Sequence, residues 1–501
     1  MDGLAAGIGQ GLAAIATIDR IAACFTGSLL GTAVGVLPGL GPTATIAILL
    51  PVTFAMEPLS AILMLCGIYY GVMYGGSITS VLMRVPGEVT SLMTCQDGYL
   101  IARQGRPGYA LAICALASFA AGIVSTGLVA AIGEPLARIS GAFGPPEYTM
   151  LMVGGLLLVS VVSQSSLRKS LILAALGLAM STMGTDLVFG VERFTGGFLF
   201  MADGINVAIV AMGIYGVSEA VNALSAKDAT LPLLPTRLAG LYPRPRELAA
   251  IAPATARGTI LGFLIGLLPG AGATLSAFVA YGFEKSLDRN GTVGKGDPRA
   301  VAAPEAANNA ASQAAMVPLL SLGIPNNVIT SMILGAFVIH GLAPGPMLAA
   351  TRPDLFWGVI AGMLVANFFL VVLNLPLVMV FVQLLRLDPK RLAIFVLVMC
   401  FVGAYSLRNQ LGDCVLLAAF GFAGMVLRRW GYDAAPLVLS MVLGDLLEKS
   451  LQQALIMGYG SPAIFVQRPV SLAIIGATIA IVAALVVLRR SGRVRPDSGD
   501  P

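Results

Sequence analysis

Two copies of one short motif carry most of the chemistry this sequence offers. Leu37, Pro38, Gly39, Leu40, Gly41 and Pro42 return 231 positions later as Leu268, Pro269, Gly270, Ala271, Gly272 and Ala273. The match runs outward without a gap, because Gly31, Gly35 and Thr43 fall on Gly262, Gly266 and Thr274 at the same offset. Proline lacks a backbone donor and glycine accepts dihedrals that unwind a helix, so L-P-G-x-G leaves carbonyls and amides unpaired where it interrupts one. Carbonyl oxygens freed in this way can coordinate sodium, and the positive N-terminus of the following half-helix can hold an anion. Pro38, Gly39, Gly41 and Thr43, with Pro269, Gly270, Gly272 and Thr274, are therefore candidate substrate- and ion-binding residues, with sodium expected at the 39–43 and 270–274 breaks. The hydroxyls of Thr43 and Thr274 can bind an ion or cap the next helix. For a single copy, a kink that eases packing explains the motif as well; the duplication argues for binding.

Neutral polar residues extend the set. Residues 306–351 contain no Asp, Glu, Lys or Arg in 46 positions, so Asn308, Asn309, Asn326 and Asn327 supply polarity where charge is absent. Their amides suit hydrogen bonds to a carboxylate, coordination of sodium, or bonding between helices. A fainter correspondence links the glycine-rich run 75–80, which leads to Arg84-Val85-Pro86-Gly87-Glu88, with the run 308–313, which leads to Gly323-Ile324-Pro325-Asn326-Asn327. Pro86 lies 48 residues past Pro38 and Pro325 lies 56 past Pro269; the extra eight fit a longer basic loop holding Lys285, Arg289, Lys295 and Arg299. Ser77, Thr79, Arg84, Gly87, Ser312 and Pro325 join the candidates on this basis. Arg84 can meet an anionic substrate or form an interfacial pair with Glu88. Asp97, Glu305 and Asp445 are weaker candidates, and the single histidine, His340, excludes a relay built on imidazoles.

These residues must be held by helices in lipid. Hydrophobic residues make up 57% of the 501 and charged residues 11%, against roughly 25% charged in a soluble domain. Long uncharged runs such as 21–56, 59–83, 258–283 and 355–385 reach the ~20 residues one spanning helix needs, and they lack the alternation of a membrane barrel. An all-α polytopic membrane protein follows, with roughly a dozen membrane segments in two inverted repeats whose helices are broken or re-entrant. The expected divisions are an N-terminal membrane repeat at 1–225, a cytoplasmic linker at 226–250 with four Pro and four Lys or Arg between 227 and 247, a C-terminal membrane repeat at 251–489, and a cytoplasmic tail at 490–501. The loop after the first break, 51–60, has no Lys or Arg, whereas the loop after the second is basic, so the two repeats enter the membrane in opposite senses. Arg489, Arg490, Arg493 and Arg495 place the C-terminus inside. With Asp2 early and Arg20 the first basic residue, a cleaved signal peptide is not expected, and 1–18 reads as an interfacial helix.

Several function classes fall away. The six cysteines show no C-x-x-C pairing, and the net charge of +5 is scattered over loops, so neither redox work nor nucleic-acid binding is indicated. No Walker A loop, H-E-x-x-H or G-x-S-x-G is present, so the chain reads as no enzyme, without a cofactor beyond coupling sodium ions or protons. A channel or scaffold in which the breaks serve packing only is the second reading.

The combination of segments resembles the large membrane subunit of the bacterial tripartite tricarboxylate transporters. The similarity rests on 31–51, on Y-Y-G-V-M-Y-G-G-S-I-T-S at 69–80, on Pro86-Gly87-Glu88, on 262–285 with L-P-G-A-G-A and Y-G-F-E-K, on P-E-A-A-N-N-A-A-S at 304–312, and on G-I-P-N-N at 323–327. The resemblance implies the solute-conducting subunit of a secondary uptake system in the bacterial inner membrane. It implies two partners, a small membrane subunit of about four helices and a periplasmic solute-binding protein. It also implies import of carboxylates such as citrate, coupled to sodium or protons.

Overall fold

Both break motifs coincide with helix ends. The computed structural model describes residues 2–37, 41–84, 86–140, 143–163, 165–185, 191–225, 242–268, 272–384 and 389–490; Pro38, Gly39, Pro269 and Gly270 lie outside the described residues. Helix α1 (Asp2–Ile15) turns by 91° into α2 (Ile18–Gly35), which stops just before the first break. After it comes α3 (Pro42–Thr53), with Pro42 in the first turn, where a missing N–H costs no hydrogen bond. Then follow α4 (Pro58–Met83), a short turn at Val89–Ser91, α5 (Leu92–Arg103) and α6 (Pro107–Ser140). Helices α7 (Pro145–Val162) and α8 (Leu167–Ser181) lead to a minimal antiparallel ladder of β1 (Gly184–Thr185) and β2 (Glu192–Arg193). Helices α9 (Val207–Ala211) and α10 (Ser218–Ser225) flank a π-helical segment, Met212–Val217.

The second half opens with α11 (Pro245–Gly266), which begins inside the stretch expected as a linker and ends before the second break. It continues through α12 (Gly272–Leu287), α13 (Pro298–Ala314), α14 (Met316–Leu322), α15 (Val328–Ile339), α16 (Pro346–Thr351) and α17 (Pro353–Asn374). Helices α18 (Val378–Leu384), α19 (Pro389–Arg408), α20 (Leu411–Arg429), α21 (Ala435–Met457), α22 (Ile464–Gln467) and α23 (Pro469–Arg490) complete the chain. Among the described residues, six helices are long and apolar enough to cross a membrane, or seven if α1 and α2 form one bent span, and six shorter apolar helices accompany them. The long uncharged runs are thus divided by Pro and Gly into shorter pieces. All six cysteines are free, and five are buried.

The halves share a packing register. Gly27, Gly31 and Gly35 of α2 press on the backbone of Met64, Ile68 and Val72 of α4, where a Cβ would overlap the carbonyl oxygens. Gly258, Gly262 and Gly266 of α11 press in the same way on Ala303, Ala307 and Ala311 of α13. The paired residues are 37 apart in the first half and 45 in the second, so the extra eight inferred from the proline spacing recur in the contacts. Small residues every fourth position allow this approach, and dispersion and Cα–H contacts then hold the helices together in a solvent that offers no hydrophobic drive. Helix α4 ends on Arg84 at φ 58° and α14 ends on Gly323 at φ 72°, positions that differ by 239, as Met64 and Ala303 do. A left-handed terminus suits glycine; at Arg84 the same backbone is held with a side chain attached.

Candidate functional site

Each half carries a loop that returns to the helix preceding its break. In the first, Gly87 lies so close to the carbonyl of Gly35, the last residue of α2, that no side chain would fit. In the second, the Asn326 amide Nδ2 donates to the carbonyl of Gly266, the last residue of α11, at 2.5 Å. A helix end inside lipid has carbonyls without intrahelical partners, and these loops cover one in each half. Beyond the loops, Glu88 and Asn327 cap the next helical turns through equivalent boxes with Ser91 and Thr330.

The two loops are also exchanged between halves. Asn327 Nδ2 donates to the Tyr69 hydroxyl of α4 at 3.4 Å, while Asn308 Nδ2 of α13 donates to Glu88 Oε1 at 3.4 Å. Tyr69 and Asn308 are equivalent positions at the 239 offset, and so are Glu88 and Asn327. A contact that is returned by its equivalents in this way is what a twofold relation produces. Elements follow the pattern: the turn before α5 lies against α12, and α15 lies against α3.

Beneath the loops is a buried polar cluster. Glu305 of α13 accepts from Ser77 of α4 at 2.7 Å, from the hydroxyl of Thr94 on α5, and from Ser118 of α6 at 3.4 Å. Asn309 Nδ2 donates to Ser118 at 2.7 Å, Ser312 donates to the Asn309 carbonyl at 2.9 Å, and Thr90 donates to Glu88. Among the described residues Asn308 Oδ1 and Asn309 Oδ1 have no partner, and each residue is only 1% exposed. An unpaired buried acceptor costs about 1–3 kcal/mol, so a donor or a cation is the expected complement there.

A family model for the tripartite tricarboxylate transporter TctA family matches residues 21–439. The chain belongs to that family. Like other members of the TctA family, it is a multi-pass membrane component of a tricarboxylate transporter. An uncharacterized 52.8 kDa protein from the TAR-I ttuC′ 3′ region of Agrobacterium vitis is 43% identical over 472 residues, 94% of each chain. A second A. vitis protein, from the TAR-II ttuC′ 3′ region, is 40% identical over 234 residues, 46% of this chain and 97% of its own length. No solved structure matches.

Within this TctA-family fold the residues singled out by sequence fall into three groups. Ser77, Gly87, Asn308, Asn309, Ser312, Pro325, Asn326 and Asn327 lie in or beside the loops and polar cluster just described, all buried except the half-buried Asn327. Thr43 and Thr274 sit half-buried in the first turns of α3 and α12, with Gly41 and Gly272 immediately before or at the helix starts. Thr79 is buried beside Gly87 of the first loop with its hydroxyl donating to the Gly76 carbonyl, and Arg84 alone stands apart, exposed with its guanidinium 5.8 Å from the Tyr99 ring. Arg84 and Glu88 form no ion pair, because Arg84 points outward while Glu88 is buried on Thr90 and Asn308. His340 caps α15 and contacts the Thr53 carbonyl at 3.2 Å. Sequence reasoning passed over Tyr69, Thr94 and Ser118, which come from three helices; their signal is only a hydroxyl within an apolar stretch.

Asn326→Ala tests the loop closure at the second break. Loss of the bond to Gly266 is expected to lower stability by about 0.5–2 kcal/mol, read as thermal unfolding in detergent. Uptake is expected to fall further than that loss of stability explains. Unchanged uptake and unchanged unfolding together would show that this bond is idle.

Proposed function

We propose that this chain is the solute-conducting membrane subunit of a binding-protein-dependent secondary transporter in the bacterial inner membrane. It imports a carboxylate, a tricarboxylate such as citrate or a related organic acid, on a sodium or proton gradient. The observation that carries this reading is the reciprocal pair Tyr69–Asn327 and Asn308–Glu88, which ties each loop that closes on a helix entering a break to a helix of the other half. A site shared by two broken-helix repeats is the arrangement used by carriers that alternate access around a fixed locus. The substrate carboxylates meet the N-termini of α3 and α12 and the amides of the Asn-bearing segments, and coupling cations bind at the breaks, with the Thr43 and Thr274 hydroxyls within the first turns beyond them. The repeats are inverted, counting the six shorter apolar helices gives about a dozen membrane segments, and the linker around 226–250 and the C-terminal tail face the cytoplasm. A small four-helix membrane subunit and a periplasmic solute-binding protein complete the system, as the tripartite family supports.

Gly41→Leu is the direct test. Gly41 has φ −74° and ψ 172°, an extended backbone open to any residue, and among the described residues nothing lies within 4 Å of an added Cβ. Leucine there is expected to leave membrane insertion and yield intact while abolishing labelled citrate uptake in vesicles carrying the complete system under a sodium or pH gradient. Gly272, at φ 54°, adds backbone strain to any substitution, which makes Gly41 the cleaner position. Normal uptake by the variant removes the first break from the site, and ion conductance without saturable uptake favours a channel.

A further inference from the structure

One buried acid has no task in this scheme. Glu305 is 1% exposed on α13, and its surroundings come from three helices of the other half: Ser77 from α4, Thr94 from α5 and Ser118 from α6. No ion pair involves it among the described residues. The titratable groups that face it are Tyr74 on α4, Cys95 on α5, Cys114 on α6, and Glu88 in the turn before α5, none of them cationic at neutral pH. A carboxylate in lipid without a counter-cation is costly, and one placed between two halves that must move is a candidate for work.

Resting on the transport reading, we propose that Glu305 is the carboxylate that takes up and releases the coupling proton. Its geometry favours a proton over a metal ion. Among the described residues no three His, Cys, Asp or Glu side chains gather to hold a metal ion, whereas a single carboxylate ringed by three hydroxyls suffices for a proton. The more weakly bonded oxygen is Oε2, which holds only Ser118 at 3.4 Å, and a proton arriving there forms an O–H bond that turns COO⁻ into COOH. That O–H donates to the Ser118 oxygen, and the hydroxyl hydrogen of Ser118 must then find another acceptor. Two buried amide oxygens have no partner among the described residues, Asn309 Oδ1 on the residue whose Nδ2 bonds Ser118 and Asn374 Oδ1 on a residue lining a small cavity with Tyr74, Ser77 and Ser118, and a water in that cavity is needed to relay the Ser118 hydrogen to either. Both residues are more than nine-tenths buried. The cavity gives such a proton-carrying water a place beside the partner hydroxyls Ser77 and Ser118. Because α13 belongs to the second half and α4, α5 and α6 to the first, protonation removes a charge from the joint between the repeats.

Two measurements test this. Infrared difference titration of the purified chain, which needs no substrate, is expected to show a carboxyl band that titrates with pH in the wild type and in Glu88→Gln but is missing in Glu305→Gln. A titration indistinguishable in Glu305→Gln overturns the proposal. In vesicles with both partner proteins, Glu305→Gln is expected to lose citrate accumulation driven by a pH gradient, with its monodisperse yield in detergent matching the wild type. Accumulation at the wild-type level also overturns it. If wild-type vesicles move no citrate under any gradient, the transport reading fails, and the infrared result still decides whether Glu305 is the protonating group.

Discussion

Gly262→Leu is expected to remove folded protein from the membrane. The substituted Cβ would overlap the Ala307 carbonyl, Cα and carbonyl carbon, all backbone atoms of α13, so no side chain can turn aside to admit it. Overpacking usually costs about 1–3 kcal/mol where neighbours can yield, and here the neighbour is a helix axis, so the cost sits at or above that range. Helices α11 and α13 would have to separate, taking Gly258 and Gly266 from their seats on Ala303 and Ala311 and breaking the Asn326 bond to Gly266. Gly282→Leu on α12 is the matched control, since its position is exposed and nothing lies within 4 Å of an added Cβ. Monodisperse yield from detergent extracts is expected to be near zero for the first variant and near wild type for the second. Equal yields would mean that the close register of α11 on α13 is wrong.

That register shows what a single sequence can reveal about such a fold. Gly31 and Gly35 against Gly262 and Gly266 were legible because glycine at fixed spacing is conspicuous, and the eight-residue difference between the halves could be counted before any contact was known. Helix ends at Gly35 and Gly266 follow from the same signal. The partners of those glycines were not legible, because Met64, Ile68 and Val72 in one half and alanines in the other share no residue type. The acidic residues were harder still. Glu88 reads as the natural partner of Arg84 four positions away, yet the left-handed backbone at Arg84 turns the chain so that one is exposed and the other buried. Glu305 reads only as a weaker candidate, since the hydroxyls that hold it lie 228, 211 and 187 residues away in sequence.

The basic loop after the second break was read from its charge as a cytoplasmic surface, and its organisation comes from acids instead. Asp97, fully buried on α5, accepts the backbone N–H groups of Gly294 at 3.0 Å, Gly296 at 2.7 Å and Asp297 at 2.8 Å, and the Tyr281 hydroxyl lies 3.1 Å from its Oδ2. Within the loop, burial opposes the charge of Asp297, but the Arg299 guanidinium and the Thr292 hydroxyl outweigh it and hold the carboxyl below its ordinary range. The N–H of Val293 likewise helps keep Asp288 ionised. One carboxylate of the first half therefore fixes the connection between α12 and α13, and with it the hairpin that carries the second break.

Asp97→Ala is expected to release that connection. Three backbone donors lose their acceptor while the Tyr281 hydroxyl keeps Gln96, and each donor left dry would cost about 1–3 kcal/mol. Gly294 is exposed and Gly296 half-buried, so water can reach two of the three, and the expected loss is about 2–4 kcal/mol rather than the full sum. Asp97→Asn is expected to lose about 1 kcal/mol, because Oδ1 alone accepts from all three N–H groups and an amide nitrogen in place of Oδ2 can donate to Tyr281, whose hydroxyl already donates to Gln96 at 2.8 Å. Thermal unfolding in detergent should rank wild type above Asp97→Asn and both above Asp97→Ala, with new protease cleavage in the alanine variant confined to 288–297. Uptake should follow the same order, since an untethered α12 no longer presents its N-terminus at a fixed place. An alanine variant as stable and as protease-resistant as the wild type would mean that the loop is held by its own Asp288, Asp297 and Arg299 contacts, and that Asp97 is not needed to link it to the first half.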